Sequence, residues 1–176
     1  MSRVPDLAPR IRDAAFLEGD FVLSSGERSN FYVDKYLFST EPNLLRDVAD
    51  ALAAEIPGVE RLAGVELGAV PLVVATALAT GLPYVIVRKS AKEYGSSAGR
   101  SIEGNLEKGE RVALVEDVVT TGTQAVRAAR NLEETGAKVV TIVAVLDRRE
   151  EIGGDLGGFP FRSLLRMDDL RVVKRN

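Results

Sequence analysis

Two hydrophobic rhythms succeed one another along this chain. Near the N-terminus, Leu7, Ile11, Ala14, Ala15 and Leu17 recur at helical spacing and predict a helix over about 6–18, which Gly19 stops. Phe21-Val22-Leu23 and Phe31-Tyr32-Val33 read as short strands on either side of a polar turn over 24–30. A second amphipathic helix starts at Pro42, carries Leu44, Leu45, Val48, Leu52 and Ile56, and ends at Pro57-Gly58. Continuous apolar runs then take over, at 62–66, 84–87, 112–115 and 139–146. An Ala-rich helix over 71–80 and another over 123–135, closed by Gly136, separate them. Strands apolar on both faces, alternating with helices, predict an α/β fold with a mostly parallel central sheet flanked by helices.

One stretch breaks the alternation. Residues 88–109 are polar with little apolar periodicity, and a segment of that length inside a compact domain is uncommon and often functional, such as a lid, a surface hairpin with no role being the alternative. The glycine cluster Gly153-Gly154-Asp155-Leu156-Gly157-Gly158 has no strand-to-helix context for dinucleotide binding and reads as a turn.

Composition narrows the chemistry. The 176 residues fit one domain, 1–176, and 45% hydrophobic content is that of a globular protein. The 23 basic and 26 acidic residues give a formal charge of −3, which argues against a nucleic-acid partner. The chain has no cysteine and no histidine, so disulfides, thiolates and every mechanism that needs an imidazole are excluded. Neither a signal peptide nor a membrane span is legible, since Gly81 and Pro83 interrupt the most apolar stretch. The expectation is a cytoplasmic protein with no membrane partner.

The most informative stretch is Val112-Ala113-Leu114-Val115-Glu116-Asp117-Val118-Val119-Thr120-Thr121-Gly122-Thr123. A buried strand is expected to end in two adjacent carboxylates, followed by a hydroxyl-rich turn and a helix whose apolar face is Ala125, Val126, Ala129 and Leu132. Such a turn aims unpaired amides, at the positive end of a helix, toward an anion. The dipole contributes only about 0.3–1 kcal/mol per charge, so directed amide and hydroxyl hydrogen bonds must supply much of the affinity. Two carboxylates beside a bare phosphate would repel it. A sugar phosphate removes the conflict, because vicinal hydroxyls donate to the acids while the amides take the phosphate. A strand followed by an ordinarily capped helix is the alternative.

This pattern of apolar residues, two acids, two more apolar residues and Thr-Thr-Gly-Thr resembles the phosphoribosyl-diphosphate signature of type I phosphoribosyltransferases. Other segments resemble the orotate branch of that family: Phe21–Lys35 its N-terminal hood, 87–95 with Ile102-Glu103-Gly104 its mobile catalytic loop, and Leu146-Asp147-Arg148-Arg149 its orotate-binding strand end. The resemblance implies a type I phosphoribosyltransferase fold with a small hood (about 1–40), a core (about 41–176) and a mobile loop (about 88–109). It implies transfer of a phosphoribosyl group to orotate, giving orotidine 5′-monophosphate in pyrimidine biosynthesis. A purine acceptor, or a donor-binding regulator without catalysis, are the other readings.

Residue by residue, the resemblance puts Glu116 and Asp117 at the ribose hydroxyls, both as catalytic residues. Val118, Val119, Thr120, Thr121, Gly122, Thr123 and Gln124 would surround the 5′-phosphate. Arg88, Lys89, Lys92 and Tyr94 would meet the diphosphate, Lys92 as a catalytic residue. Thr120, Arg148 and Tyr32 would hold orotate. The turn Leu67-Gly68-Ala69-Val70 corresponds to a pyrophosphate contact of the family. Magnesium is implied as a companion of the diphosphate with no assigned protein ligand, and a homodimer as the assembly, with the loop shared across the interface. A contact at about 4 Å between unit charges is worth roughly 4 kcal/mol at an effective dielectric near 20 and about 1 kcal/mol in water, so a water-excluding lid decides what the loop cations contribute. Some members carry lysine where Ser24 and Gly68 stand here, and many carry histidine where Tyr94 stands, so those cationic contacts are absent.

Overall fold

The computed structural model describes residues 7–22, 26–90, 101–150 and 153–171. Ser24, Lys92 and Tyr94, together with the rest of 91–100 in the 88–109 loop, lie outside the described residues.

Helix α1 (Leu7–Ala15) buries Leu7, Ala8, Ile11 and Ala15. It is shorter than its apolar spacing predicts: the chain turns into β1 (Phe16–Val22), which pairs antiparallel with β2 (Arg28–Val33). The tertiary reason is an aromatic stack, Phe16 on Phe31 with centroids 5.3 Å apart, which outweighs the helical rhythm that ran on to Leu17. Successive residues of β2 face opposite ways, so Phe31 turns toward Arg12 and Arg171 while Tyr32 pairs with Phe21 on the other face. A short helix the periodicity did not reveal, α2 (Lys35–Ser39), follows; Asp34 caps it by accepting from the Tyr36 N–H at 3.0 Å. Helix α3 (Pro42–Ala54) has Pro at its first turn, and both oxygens of Glu41 accept from the first free amides.

The core alternates as expected through β3 (Arg61–Val65), α4 (Val70–Thr80), β4 (Tyr84–Val87), β5 (Ile102–Glu103), β6 (Arg111–Val119), α5 (Thr123–Glu134) and β7 (Lys138–Asp147). The chain then adds β8 (Asp155–Leu156), β9 (Phe159–Arg166) and α6 (Met167–Arg171), which the hydrophobic pattern did not announce. The seven-stranded sheet has the order β5-β4-β3-β6-β7-β9-β8. Its five central strands are mutually parallel, and short antiparallel strands flank them at both edges. Helices α1, α3 and α4 pack on one face, around Phe38, Leu52, Leu62 and Leu72; α5 covers the other with Ala128, Ala129 and Leu132.

Two boundaries differ from the sequence reading in ways that matter. Strand β6 does not end at its acids but runs on through them to Val119, because the ladder with β7 continues through Glu116↔Ala144, Val118↔Leu146 and Val119↔Asp147. Within 88–109, residues from Ser101 onward are tied to the core rather than free of structure. The Arg88 N–H donates to the Ser101 carbonyl at 2.7 Å, β5 pairs with β4, and the Gly109 N–H donates to Gly136. The glycine cluster contains the turn of the β8–β9 hairpin, as read, with positive φ at Gly157 and Gly158. Among the described residues no helix is long and apolar enough to cross a membrane.

Candidate active site

The C-terminal ends of β3, β6 and β7 and the inner face of the β1–β2 hairpin enclose a cleft of ≈ 1320 Å³. Its walls bring together most of the predicted positions: Tyr32, Lys89, Glu116, Asp117, Val118, Val119, Thr120, Thr121, Gly122, Thr123, Gln124 and Arg148. A smaller hollow of ≈ 560 Å³ on the far side of the hairpin is lined by Arg12, Phe16, Glu18, Asn30, Phe31 and Arg171, and holds none of these residues.

Strand β6 delivers the two acids. Glu116 and Asp117 are both buried, at 6% and 4% exposure, which is unusual for adjacent carboxylates. Burial first, and the neighbouring Asp117 charge second, push the Glu116 carboxyl up to about 8. Glu116 is therefore largely protonated at neutral pH and able to donate as well as accept. Asp117 Oδ1 accepts from the Val118 N–H at 2.6 Å, and its buried Oδ2 lies 2.7 Å from the Lys35 ammonium.

The turn after β6 forms an anion cradle. Gly122 stands at the N-cap of α5 with φ 82°, a left-handed conformation that favours glycine, and no side chain caps the helix among the described residues. A Cβ at Gly122 would also lie 2.3 Å from Leu156 Cδ1. The hydroxyls of Thr121 and Thr123 are 3.1 Å apart and line the same opening. The amides at the start of α5, of which Thr123 N–H makes a long 3.4 Å contact to Thr121 Oγ1, thus converge with hydroxyls and the helix dipole on one spot.

The flanking elements hold the rim. Between β3 and α4, Glu66 accepts the Lys89 N–H at 2.6 Å, joining the ends of β3 and β4. The Arg127 guanidinium, on α5, donates to the Lys89 carbonyl at 3.1 Å. Arg88 sits at the same root but is not part of the cleft wall; its Nη1 is 3.7 Å from Glu103 Oε1. After β7 two adjacent arginines diverge. Arg149 is bound to the buried Asp147 at 3.0 and 3.1 Å and lies 4.4 Å above the Phe161 ring, whereas the Arg148 N–H donates to the Val119 carbonyl and Arg148 lines the cleft.

Lys35, Glu66 and Arg127 escaped the sequence reading although all three line the cleft. Arg127 was legible in principle, four residues after Thr123 and hence on the same side of α5. Lys35 carried no such signal, since only the folded hairpin brings it to Asp117. Among the described residues there is no group of three or more acids, histidines or cysteines suited to hold a metal ion.

Residues 40–157 match the family model of the phosphoribosyl transferase domain. The chain is 51% identical over 146 residues to an orotate phosphoribosyltransferase of Natronomonas pharaonis, covering 82% of this chain and 83% of that one. Among solved structures it is similar to the orotate phosphoribosyltransferase of Mycobacterium tuberculosis H37Rv in complex with Fe(III) dicitrate, with TM-score 0.81, 32% identity, and 94% and 97% of the two chains covered. A structure of the same enzyme in complex with 5-phospho-α-D-ribosyl 1-diphosphate matches with TM-score 0.72 and 28% identity, over 95% and 98% of the chains.

Proposed function

This chain belongs to the phosphoribosyl transferase family, and we propose from that premise that it is an orotate phosphoribosyltransferase. It joins orotate to 5-phosphoribosyl 1-diphosphate, forming orotidine 5′-monophosphate and diphosphate in pyrimidine biosynthesis. The observation that carries the reading is the juxtaposition of two buried acids on β6 with the uncapped start of α5, in a cleft that Arg148 also lines.

The reading places the donor in this cleft in one orientation. Its 5′-phosphate takes the amides and hydroxyls over 118–124, and its ribose hydroxyls meet Glu116 and Asp117. A carboxyl that is neutral near pH 7 beside one that is charged suits vicinal hydroxyls, which both donate and accept, better than it suits a bare divalent cation. The diphosphate then lies toward the 66–69 turn and the root of the 88–109 segment, where Lys89 and, by family resemblance, Arg88, Lys92 and Tyr94 meet it. Magnesium accompanying the diphosphate, with no protein ligand assigned to it, would supply neutralisation of the leaving group's charge.

Reaction breaks the bond between the anomeric carbon and the diphosphate, whose oxygen keeps the electron pair. The orotate N1 forms the new bond, and its proton passes to the departing diphosphate or to solvent. Positive charge develops at the ribose, next to Asp117, where a buried carboxylate stabilises it more than a hydrated one would. Orotate is held by Arg148 at its carboxylate, with Thr120 and Tyr32 beside the ring. The reading includes a homodimer in which the loop reaches the neighbour's cleft, and action on soluble metabolites in the cytoplasm.

Turnover with orotate, uracil, adenine, guanine and xanthine, each with donor and magnesium, tests the assignment. Orotate alone is expected to react. Activity confined to a purine would overturn the acceptor, and donor binding without turnover on any base would make the chain a regulator.

A further inference from the structure

Lys35 is the first residue of α2, and its ammonium nitrogen lies 2.7 Å from Asp117 Oδ2. The two come from opposite sides of the cleft: Lys35 from the segment that leaves the β1–β2 hairpin, Asp117 from the central strand β6. The aspartate side chain is 6% exposed and that of the lysine 36%, so the ammonium presents one side to a buried acid and the rest to the cleft. An ammonium has three donors, and one ion-pair contact leaves donors for a further partner. Burial works against its charge, but the Asp117 carboxylate outweighs burial and holds the ammonium pKa above the ordinary lysine value.

The pair is seated against Gly68. A Cβ built there would lie 1.6 Å from Asp117 Oδ2 and 2.9 Å from Lys35 Nζ. Position 68 therefore carries no side chain while the pair exists, and the cation at this point comes from Lys35 instead of from the 66–69 turn. The nearby wall holds Glu66, Glu116 and Asp117, with Lys89, Arg127 and Arg148 also on the cleft lining. A polyanion placed here needs a cation close to the aspartate, and Lys35 is the one within ion-pair distance of it among the described residues.

We propose that Lys35 is a diphosphate-binding residue of the donor site: it pairs with Asp117 in the empty cleft and meets the donor's diphosphate oxygens beside Gly68 when the cleft fills. The proposal rests on the assignment of the donor to this cleft. It also gives a reason for glycine at position 68, because a side chain there would displace the ion pair.

Calorimetric titration of the full chain with the magnesium complex of phosphoribosyl diphosphate, and separately with ribose 5-phosphate, tests it. For Lys35→Met we expect donor affinity to fall on the order of tenfold or more, the loss typical of a charged hydrogen bond, while ribose 5-phosphate binds within about twofold of wild type. Lys35→Arg is expected to recover part of the donor affinity. Unchanged donor binding by Lys35→Met, or an equal loss of both ligands, would overturn the role of Lys35. Wild-type protein that binds neither ligand would overturn the donor-site assignment itself and the role with it.

Discussion

The guanidinium of Arg127 donates to the backbone carbonyl of Lys89 at 3.1 Å, so the helix that begins at the anion cradle also holds the root of the 88–109 segment. Whatever orders the first turns of α5 is thereby linked to the chain that follows β4. Arg127→Ala is expected to lower kcat/KM for the donor about tenfold, the worth of one charged hydrogen bond, with little change in Tm. Steady-state kinetics alongside thermal melting decide it; an unaltered kcat/KM would reduce this bond to a surface contact.

Glu116 has a stability consequence with a definite sign. Burial and the Asp117 charge raise its carboxyl from 4.5 to about 8, so between those values the folded state keeps a proton that the unfolded chain has released. The stabilisation is complete below pH 4.5 and is lost as pH rises, by about 1.4 kcal/mol for each unit, until about pH 8. Melting curves of the ligand-free wild type and Glu116→Gln are expected to diverge in favour of the variant across this window and to run parallel above it. A difference independent of pH would show that Glu116 is not held protonated.

The neighbours Arg148 and Arg149 are expected to fail differently. Arg148→Ala removes a cleft residue and should raise the KM for orotate roughly tenfold to a hundredfold at nearly constant Tm. Arg149→Ala leaves the buried Asp147 with Arg166 at 3.5 Å as its remaining ion-pair partner and should cost about 3 kcal/mol of stability. Denaturant titration and orotate kinetics on both variants separate the two; a swap of phenotypes would reverse the assignment.

Gly122→Ala confronts two obstacles, a left-handed φ of 82° and Leu156 Cδ1 at 2.3 Å from the new carbon. A loss of about 1–3 kcal/mol in folding stability and weaker binding of inorganic phosphate are expected, measurable by melting and by calorimetry. Phosphate bound as tightly as by wild type would remove Gly122 from the cradle.

For Lys92, the family pattern and the chemistry of a departing diphosphate predict a rate effect. Lys92→Ala should lower kcat far more than donor affinity, since its contact strengthens as the bond breaks. Single-turnover kinetics with a separate binding isotherm test this, and equal losses in both would assign Lys92 to ground-state binding.

Much of the core was legible in the chain because its signals are local and redundant. Apolar runs marked β3, β4, β6 and β7, while Gly81 and Gly136 marked the ends of the two helices between them. The acid pair and the Thr-Thr-Gly-Thr turn announced the site because the required residue types are contiguous. What escaped was decided by partners distant in sequence. Phe16 left the helical rhythm to stack on Phe31, and β9 alternates less regularly because it packs beside β7 near the sheet's edge. Lys35 carried no signal of its own beyond closing the hood-like segment until the hairpin brought it to Asp117, and the acids looked like a strand end until the β7 ladder extended past them.

From β3 the chain departs through α4 over one face of the sheet toward β4; from β6 it departs through α5 over the opposite face toward β7. Adjacent strand tips whose continuations part in this way leave a crevice between them before any side chain is chosen. On the proposed function, the donor's berth is thus inherited from topology, whereas the acceptor's side is built from the hairpin and the residues after β7. Exchanging those two peripheral pieces for those of a relative should redirect the choice of base while the ribose and its phosphate stay where they are.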